Sequence, residues 1–320
     1  MAAPTMPAFS ISPEKEGSKL QYLKRQLLTT PPIISKDIDL RGKTAIVTGA
    51  NRGIGLACAR QLLELGLSKL IITGRDEARC QEAVKSLSEG REPGQHEISA
   101  WNLDLLAYDS VTAFAERSAR ELPVIDIVIL NAGLFRQNMH INESTGHEED
   151  VQTNYLSTML LLLLFVRIFA SRKASTVGEA SPSPPRITVV STDTAAWAQF
   201  QQQSSPSILA ALDDANAPGF KWDMMERYGT SKLLGQLFVT ELVKRVKPTL
   251  AITNLANPGM CHGSGLTRDG KGTWTGRFAD GAFRLIGRSP EVGMRALVDA
   301  AVVKGVESHG MYVEDGEIRP

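Results

Sequence analysis

The chain has 320 residues, which is enough for one large domain or two small ones, and its 42% hydrophobic and 22% charged residues are ordinary for a globular protein. Its 35 basic and 35 acidic residues cancel, so the sequence has no overall positive field with which to hold nucleic acid or anionic lipid. These properties exclude a polyanion-binding protein, and we expect no nucleic-acid partner.

Residues 1–41 are predicted to form an extension that precedes the main domain. Prolines keep its start irregular, leucines then recur at helical spacing, and a proline pair ends the pattern: Pro4, Pro7, Pro13, Leu20, Leu23, Leu27, Leu28, Pro31 and Pro32. We expect a short helix docked on the main body. Because Lys19, Lys24 and Arg25 flank the leucines, the alternative is a helix that binds a partner or a membrane surface.

From residue 42 onward, strand patterns alternate with helical patterns. The predicted strands are 44–48, 69–73, 97–101, 125–130, 186–191, 249–255 and 311–313. The predicted helices are 56–65, 76–89, 111–121, 148–171, 228–246 and 290–304. This alternation predicts a single α/β domain over residues 42–320, with a parallel sheet, right-handed crossovers and helices on both faces.

Two long segments interrupt the alternation, residues 193–227 with Trp197 and residues 262–289 with Trp274. Loops of this length inside a compact domain are usually functional. We expect both to line a substrate pocket, and the alternative is that their aromatic side chains pack on the domain surface. A third segment, residues 173–185, is polar and proline-rich, which predicts a surface loop.

A glycine-rich turn over residues 48–55 connects the first predicted strand to the first predicted helix. This context places backbone amides and the positive end of a helix where they can hold a phosphate, although the spacing G-x-x-x-G-x-G differs from the usual dinucleotide fingerprint. The turn residues that we predict to contact a cofactor are Gly49, Asn51, Arg52, Gly53, Ile54 and Gly55.

The second predicted strand runs into Arg75, at a place where an NAD site usually has a carboxylate for the ribose 2′-hydroxyl. Arginine instead suits a 2′-phosphate, because its guanidinium is a planar and permanently charged fork. Arg52 supplies a second cation, and the neighbouring Asp76 is a weak argument for the opposite preference. The sequence therefore predicts NADP(H) as the cofactor.

Tyr228 precedes Lys232 by four residues on a predicted helix, so the two side chains lie one turn apart on the same face. A phenol near an ammonium ionises more readily than the reference phenol, whose pKa is about 10. Tyr228 is therefore a candidate acid or base. This spacing is common by chance, and its weight comes from the glycine turn that precedes it.

Taken in order, the motifs over residues 41–320 resemble the short-chain dehydrogenase/reductase family. They are Thr48-Gly49-x-x-x-Gly53-Ile54-Gly55, Asp104-Leu105, Asn131-Ala132-Gly133, Thr153-Asn154-Tyr155, Tyr228-x-x-x-Lys232 and Asn257-Pro258-Gly259. The continuation at 231–234 and the tail at 308–317 look most like the retinol-dehydrogenase-like branch and its fungal relatives in specialised metabolism. This resemblance implies a Rossmann-type doubly wound domain and polyketide- or terpenoid-like ketones as substrates.

The resemblance also implies a role for each motif. Along the cofactor it places Asp104 and Leu105 at the adenine, Asn131, Ala132 and Gly133 beside a strand end, and Pro258 and Gly259 near the nicotinamide. Lys232 would hold the nicotinamide ribose and lower the pKa of Tyr228, which would give a proton to the substrate oxygen as NADPH delivers hydride. Asn154 would support Lys232 through a water-linked proton relay.

One position departs from the family pattern, which shows paired serines after the fifth strand. Here the chain reads Ser191-Thr192, so the resemblance gives Thr192 the role of orienting the carbonyl. Threonine keeps the hydroxyl but adds a methyl group and restricts χ1. Ser191 takes the role only if the strand turns to bring it inward, and both residues remain candidates.

These residues imply an NADPH-dependent carbonyl reductase, or an enzyme that catalyses the reverse alcohol oxidation on a small molecule. The alternative is a non-redox protein on the same fold, either cyclase- or dehydratase-like or a cofactor-binding partner subunit. The predicted helix 148–171 has more apolar surface than one core face needs, and relatives pair such helices across a two-fold axis. We therefore expect a homodimer.

Three features predict a cytoplasmic protein rather than a membrane-bound retinoid enzyme. The first 30 residues show no secretory signal, and the apolar run 159–166 has eight residues where a membrane span needs about 20. The cysteines, Cys58, Cys80 and Cys261, are odd in number, which fits a reducing compartment. Cys261 adjoins His262, but without further ligands this pair predicts no metal site.

Overall fold

A computed structural model of the protein describes residues 9–175, 183–263 and 286–320. In this part of the chain, eight strands form one sheet in the order β3-β2-β1-β4-β5-β6-β7-β8, with parallel pairing from β3 through β7. The strands are β1 Thr44–Val47, β2 Lys69–Gly74, β3 Glu97–Asn102, β4 Ile127–Leu130, β5 Arg186–Val190, β6 Ile252–Asn257, β7 Tyr312–Glu314 and β8 Glu317–Arg319.

Helices cover both faces of the sheet. They are α1 Pro13–Glu16, α2 Lys19–Leu28, α3 Gly53–Glu64, α4 Glu77–Ser88, α5 Tyr108–Glu121, α6 Glu149–Val151, α7 Thr158–Ser175, α8 Ile208–Asp213, α9 Met224–Leu242 and α10 Pro290–Val298. One apolar cluster joins the sheet to α3, α4 and α10, and a second joins it to α5, α7 and α9. The predicted doubly wound α/β domain is confirmed.

The central strands carry no alternation of polar and apolar residues because both of their faces are covered. Every residue of β1, β4 and β6 is buried, as expected for parallel strands between two helical layers. The strand order reverses between β1 and β4, where Val47 pairs with Ile72 on one side and Ile129 on the other. A crevice opens at the carboxyl ends of strands at such a reversal, and this is where the fold places a ligand.

The structure differs from the predicted elements at three places. The short strand β8 was not predicted; it pairs antiparallel with β7 through a two-residue turn in which Asp315 and Gly316 both have positive φ. Helix α9 begins four residues before the predicted start, because the Asp223 carboxylate caps it by accepting from the amides of Met225 and Glu226 at 2.9 and 3.1 Å. A π-helical turn, Gln152–Ser157, joins α6 to α7.

The continuous helix Glu149–Ser175 is long and apolar enough to cross a membrane by length and composition alone, with a mean hydropathy of 1.6. In the structure it is a core helix. Its Leu161, Leu162 and Phe165 are fully buried in the cluster under α5 and α9. Burial against the sheet explains the run of apolar residues.

The N-terminal helix α2 docks on the main body, but with the opposite face from the one that its leucines indicate. Leu20, Leu23, Leu27 and Leu28 are exposed, the first of them by 79%, whereas Arg25 and Gln26 are buried. The helix is held by polar contacts with residues that are far away in the sequence. The helical spacing of the leucines does not predict such contacts. Of the predicted loops, residues 176–182 and 264–285, with Trp274, lie outside the described residues.

Candidate active site

A cavity of about 920 Å³ lies at the carboxyl ends of the central strands. It gathers nearly all of the residues that the sequence predicts for a cofactor and catalytic site. Those that line it are Gly49, Asn51, Arg52, Gly53, Ile54, Gly55, Arg75, Asp104, Leu105, Asn131, Ala132, Gly133, Ser191, Thr192, Tyr228, Lys232, Pro258 and Gly259. Asn154 is absent from the lining and lies behind it.

The glycine turn after β1 needs glycine for two physical reasons. Gly49 and Gly53 have φ values of +64° and +57°, which L side chains rarely adopt. A Cβ on Gly55 would lie 2.5 Å from Nδ2 of Asn131 and 2.7 Å from the carbonyl oxygen of Gly49. The Asn131 amide fixes this arrangement by donating to the carbonyl of Thr48 at 2.8 Å. The turn is a tight cradle at the start of α3, and it fits a phosphate.

Three arginines gather at one end of the cavity, where the sequence predicts two. Arg79 joins Arg52 and Arg75 in the lining. Burial and the charges of Arg79 and Arg75 lower the pKa of Arg52, so the three cations lie close enough to interact. Asp76 pairs with Arg79 at 3.1 Å, and Asp104 lies 3.8 Å from Arg75. Arg79 follows Arg75 by only four residues, across the start of α4, and this short spacing was the signal that sequence reasoning missed.

Tyr228 and Lys232 lie on α9 with their side chains toward the cavity. The Lys232 ammonium is 5.8 Å from the centre of the Tyr228 ring and donates to the carbonyl of Val190 at 2.9 Å. Phe135, from the loop after β4, meets the Tyr228 ring edge-on at 5.0 Å. The helix thus brings the predicted pair to the end of β5.

Burial sets the pKa of both groups. It lowers the pKa of Lys232 to about 8, opposed by the Asp150 carboxylate. It raises the pKa of Tyr228 well above 10, and Asp150 adds to this rise. The sequence predicts a lowered phenol pKa beside the ammonium, but removing the phenol from water has the larger effect here.

Asn154 lies in the π-helical turn and contacts helix α9 from behind the cavity. Its Oδ1 accepts from the amide of Leu134 at 2.8 Å, and its Nδ2 donates to the Leu134 carbonyl at 2.9 Å and to Oγ of Ser231 at 3.0 Å. Ser231 directly precedes Lys232. The contacts connect the loop after β4 to α9, and the proton relay through Asn154 stays a prediction.

The two hydroxyls after β5 point to different partners. Ser191 is buried, and its Oγ accepts from Nε2 of Gln236 at 2.9 Å. Thr192 is only half-buried, and its Oγ1 accepts from the amide and the hydroxyl of Thr194 at 3.3 and 3.2 Å. Gln236, one turn after Lys232 on α9, is a hydrogen-bond partner of Ser191 that the sequence did not reveal. This geometry favours Thr192 for the carbonyl, and the choice between the two stays a prediction.

The remaining wall of the cavity is aromatic and sulfur-rich, with Tyr22, Phe135, Trp197, Met225 and Met260. The predicted loop 193–227 therefore contributes to the pocket through Trp197 and Met225. Its Phe200 and Leu212 instead pack in a separate small core with Val151 and Leu234, which is the alternative that the sequence left open. Tyr22 comes from the N-terminal extension, and no spacing signal in the sequence connects it with this site.

A glycine cradle at a reversal of strand order defines a dinucleotide-binding α/β protein. A family model for short chain dehydrogenases matches residues 43–180. The short-chain dehydrogenase fogG of Aspergillus ruber is 48% identical over 315 residues, which cover 98% of this chain and 88% of that protein. The short chain dehydrogenase opdN of Penicillium oxalicum is 37% identical over 311 residues, covering 96% and 97%. The chain belongs to the short-chain dehydrogenase family, in a branch with fungal relatives.

Solved structures agree with this fold. A short chain dehydrogenase from Mycobacterium smegmatis superposes with a TM-score of 0.61 at 16% identity, covering 91% of this chain and 98% of that one. A short chain dehydrogenase from Shigella flexneri complexed with NADP has a TM-score of 0.58 at 16% identity, covering 88% and 100%. At this level of identity the similarity shows the fold alone.

Proposed function

We propose that the protein is an NADPH-dependent carbonyl reductase, which reduces a ketone or aldehyde of a small molecule or catalyses the reverse oxidation. The observation that carries this proposal is that the Tyr228–Lys232 pair lines the same cavity as the glycine cradle. A dinucleotide in the cradle and a proton donor at Tyr228 then meet at one substrate position. The fungal relatives support a substrate from specialised metabolism, polyketide- or terpenoid-like.

NADPH, when bound, supplies the hydride. Tyr228 supplies the proton to the substrate oxygen, and its raised pKa keeps the phenol protonated at neutral pH, as a donor must be. Lys232, with a pKa of about 8, is mostly cationic at pH 7 and stabilises the tyrosinate that forms. The Thr192 hydroxyl donates to the same oxygen and orients the carbonyl.

Removing the phenol hydroxyl tests the acid/base assignment. We expect Tyr228→Phe to lower kcat by about 10²- to 10⁴-fold with NADPH and a ketone, because the proton donor is lost. The NADPH dissociation constant, measured by fluorescence, should change little. Tyr155→Phe is the matched control, since Tyr155 is a half-buried tyrosine that meets Phe238 edge-on, outside the cavity. Full turnover by Tyr228→Phe would contradict the proposal.

The 2′-phosphate of NADPH is proposed to bind among Arg52, Arg75 and Arg79. Arg79→Gln removes one cation and should raise the KM for NADPH about tenfold, while the KM for NADH stays unchanged because NADH has no 2′-phosphate. Arg120→Gln, which removes an arginine that pairs with Glu121 on the surface, is the control. An equal change for both cofactors would count against this site.

We also propose that α7 and α9 form the interface of a homodimer. Leu163 on α7 is 41% exposed and Leu237 on α9 is 49% exposed. A two-fold axis would place these apolar side chains against their copies. Light scattering should then give about twice the 34.7 kDa of one chain, and Leu237→Glu should shift the mass toward the monomer. A wild-type monomer at working concentration would overturn the proposal.

We also propose a cytoplasmic location. Leu161, Leu162 and Phe165 are buried in the protein core, so the apolar residues of this helix are covered without lipid. Cell fractionation should place the full chain in the supernatant. A membrane pellet that resists salt would contradict it.

A further inference from the structure

The N-terminal helix α2 is fixed through a buried arginine to the end of the cavity that carries Thr192 and Tyr228. This end is called the substrate end below. Nη2 of Arg25 lies 3.1 Å from Oδ1 of Asp193 and 2.9 Å from Oε2 of Glu314, and Arg25 also pairs with Glu16 in α1. Asp193 directly follows Thr192, and Glu314 ends β7. The extension is therefore tied to the residue that follows the proposed carbonyl-orienting hydroxyl.

A second set of contacts ties α2 to the segment after β6. The Gln26 side chain accepts from the amide of Met260 at 2.9 Å and donates to its carbonyl at 3.0 Å. Arg288 donates to the carbonyl of Thr29 at 3.0 Å and to that of Pro258 at 3.3 Å. Hydrogen bonds are directional, so these contacts fix one orientation of the helix over the site.

This orientation places Tyr22 in the cavity wall. Its ring meets the Trp197 ring edge-on, with centres 5.0 Å apart and planes at 84°. The Trp197 indole is itself held, because its Nε1 donates to the carbonyl of Gly17 at 2.8 Å. The extension, through Gly17 and Tyr22, and the segment after β5, through Trp197, thus hold the two rings together.

We propose that the extension is a working part of the active site, and that Tyr22 and Trp197 select substrates whose carbonyl is attached to a flat aromatic ring system. This inference rests on the proposed carbonyl reductase function. Phe135 continues the aromatic surface next to Tyr228, at 5.0 Å. Aromatic faces and edges attract another flat ring more strongly than they attract an aliphatic group of the same area. The thioethers of Met225 and Met260 add polarisable surface that suits such a ring.

The test compares two ketones in the full-length protein, 2-acetylnaphthalene and cyclohexanone, with NADPH in excess. We expect Tyr22→Leu to raise the KM for 2-acetylnaphthalene about tenfold and to change the KM for cyclohexanone by less than about twofold. Tyr22→Phe keeps the ring and should behave like the wild type, which separates loss of the wall from loss of folding. Leu20→Ala, in the same helix but 79% exposed, should leave both values unchanged.

Calorimetric titration with 2-acetylnaphthalene gives a readout that needs no turnover. If Tyr22→Leu binds this ketone more weakly than the wild type does, but the wild type reduces neither ketone, the proposed aromatic selection is supported and the proposed reduction of such ketones is refuted. If the wild type reduces both ketones and Tyr22→Leu changes neither KM, the wall is wrong and the reductase function stands. A wild type that does not bind 2-acetylnaphthalene, or a Tyr22→Leu variant that weakens both ketones equally, also overturns the wall.

Discussion

The two ends of the cavity, the proposed nucleotide end and the proposed substrate end, are built in different ways. At the nucleotide end, the cradle and the arginines come from residues 49–79, which are consecutive elements from β1 to α4. At the substrate end, Arg25 meets Asp193 across 168 residues of sequence, and Gln26 meets Met260 across 234. The first end depends mainly on local backbone conformation, with one distant contact from Asn131, and the second depends on long-range polar contacts. Substitutions at the two ends should therefore have different effects on stability and on cofactor binding.

The substrate end also carries the larger electrostatic cost. Glu16, Arg25 and Glu314 are buried together, with Asp193 half-buried beside them. Burial, with the neighbouring Asp193 as the next cause, raises the pKa of Glu314. Buried carboxylates of this kind are tolerated only while a cation faces them. The arginine of the extension therefore offsets part of the cost of burying these acids, besides placing Tyr22.

Removing that cation gives the largest expected effect. Arg25→Met should lower the free energy of unfolding by about 3 kcal/mol, because it leaves buried carboxylates without their partner. Urea denaturation followed by circular dichroism measures the loss. Arg41→Met is the control, since the Arg41 side chain is 81% exposed and pairs with Asp39 on the surface. Equal losses for the two variants would show that the buried contacts do not distinguish the substrate end.

At the nucleotide end, Gly55→Ala should cost about 1–3 kcal/mol, because the new Cβ overlaps the Asn131 amide and the Gly49 carbonyl. The NADPH dissociation constant should rise with it. Gly235→Ala makes the same chemical change inside α9, where the Cβ would find Met159 Cε at 3.9 Å. That variant should gain up to about 1 kcal/mol from helix propensity. A Gly55→Ala protein with wild-type stability and NADPH binding would contradict the steric requirement for glycine at position 55.

The smallest effect is expected where the two ends meet, at Lys232. Its folded-state pKa of about 8 lies below the ordinary value of 10.5, so the folded protein loses this proton first as pH rises. The free energy of unfolding of the wild type should therefore rise between pH 8 and 10.5. Below pH 8 the buried ammonium of Lys232 lowers it by a constant amount. Lys232→Met should be inactive but about 1 kcal/mol more stable at pH 7, because relief of a desolvation penalty of about 3 kcal/mol is largely offset by loss of the hydrogen bond to Val190, which contributes about 2 kcal/mol. The difference should shrink toward pH 10.5. A difference that is constant from pH 7 to 10.5 would contradict the assigned pKa.

Sequence reasoning succeeded where a feature depends on near neighbours. The glycine turn, Arg75 and the Tyr228–Lys232 pair could be placed because each is read within a strand end or a helical turn. It failed for α2, whose leucines indicate one docking face while Arg25 and Gln26 dock the other. The periodicity of a helix shows which residues share a face, but not which face finds a partner.

The sequence by itself determined the order of the seven parallel strands and of the main helices, the glycine turn after β1 and the helix that carries the tyrosine and lysine. These follow from φ/ψ preferences and spacings that a few adjacent residues control. Only the tertiary structure decided that Tyr22 lines the cavity and that Gln236 holds Ser191. These contacts join residues that are far apart in the sequence and meet only in the folded sheet, so no local pattern contains them.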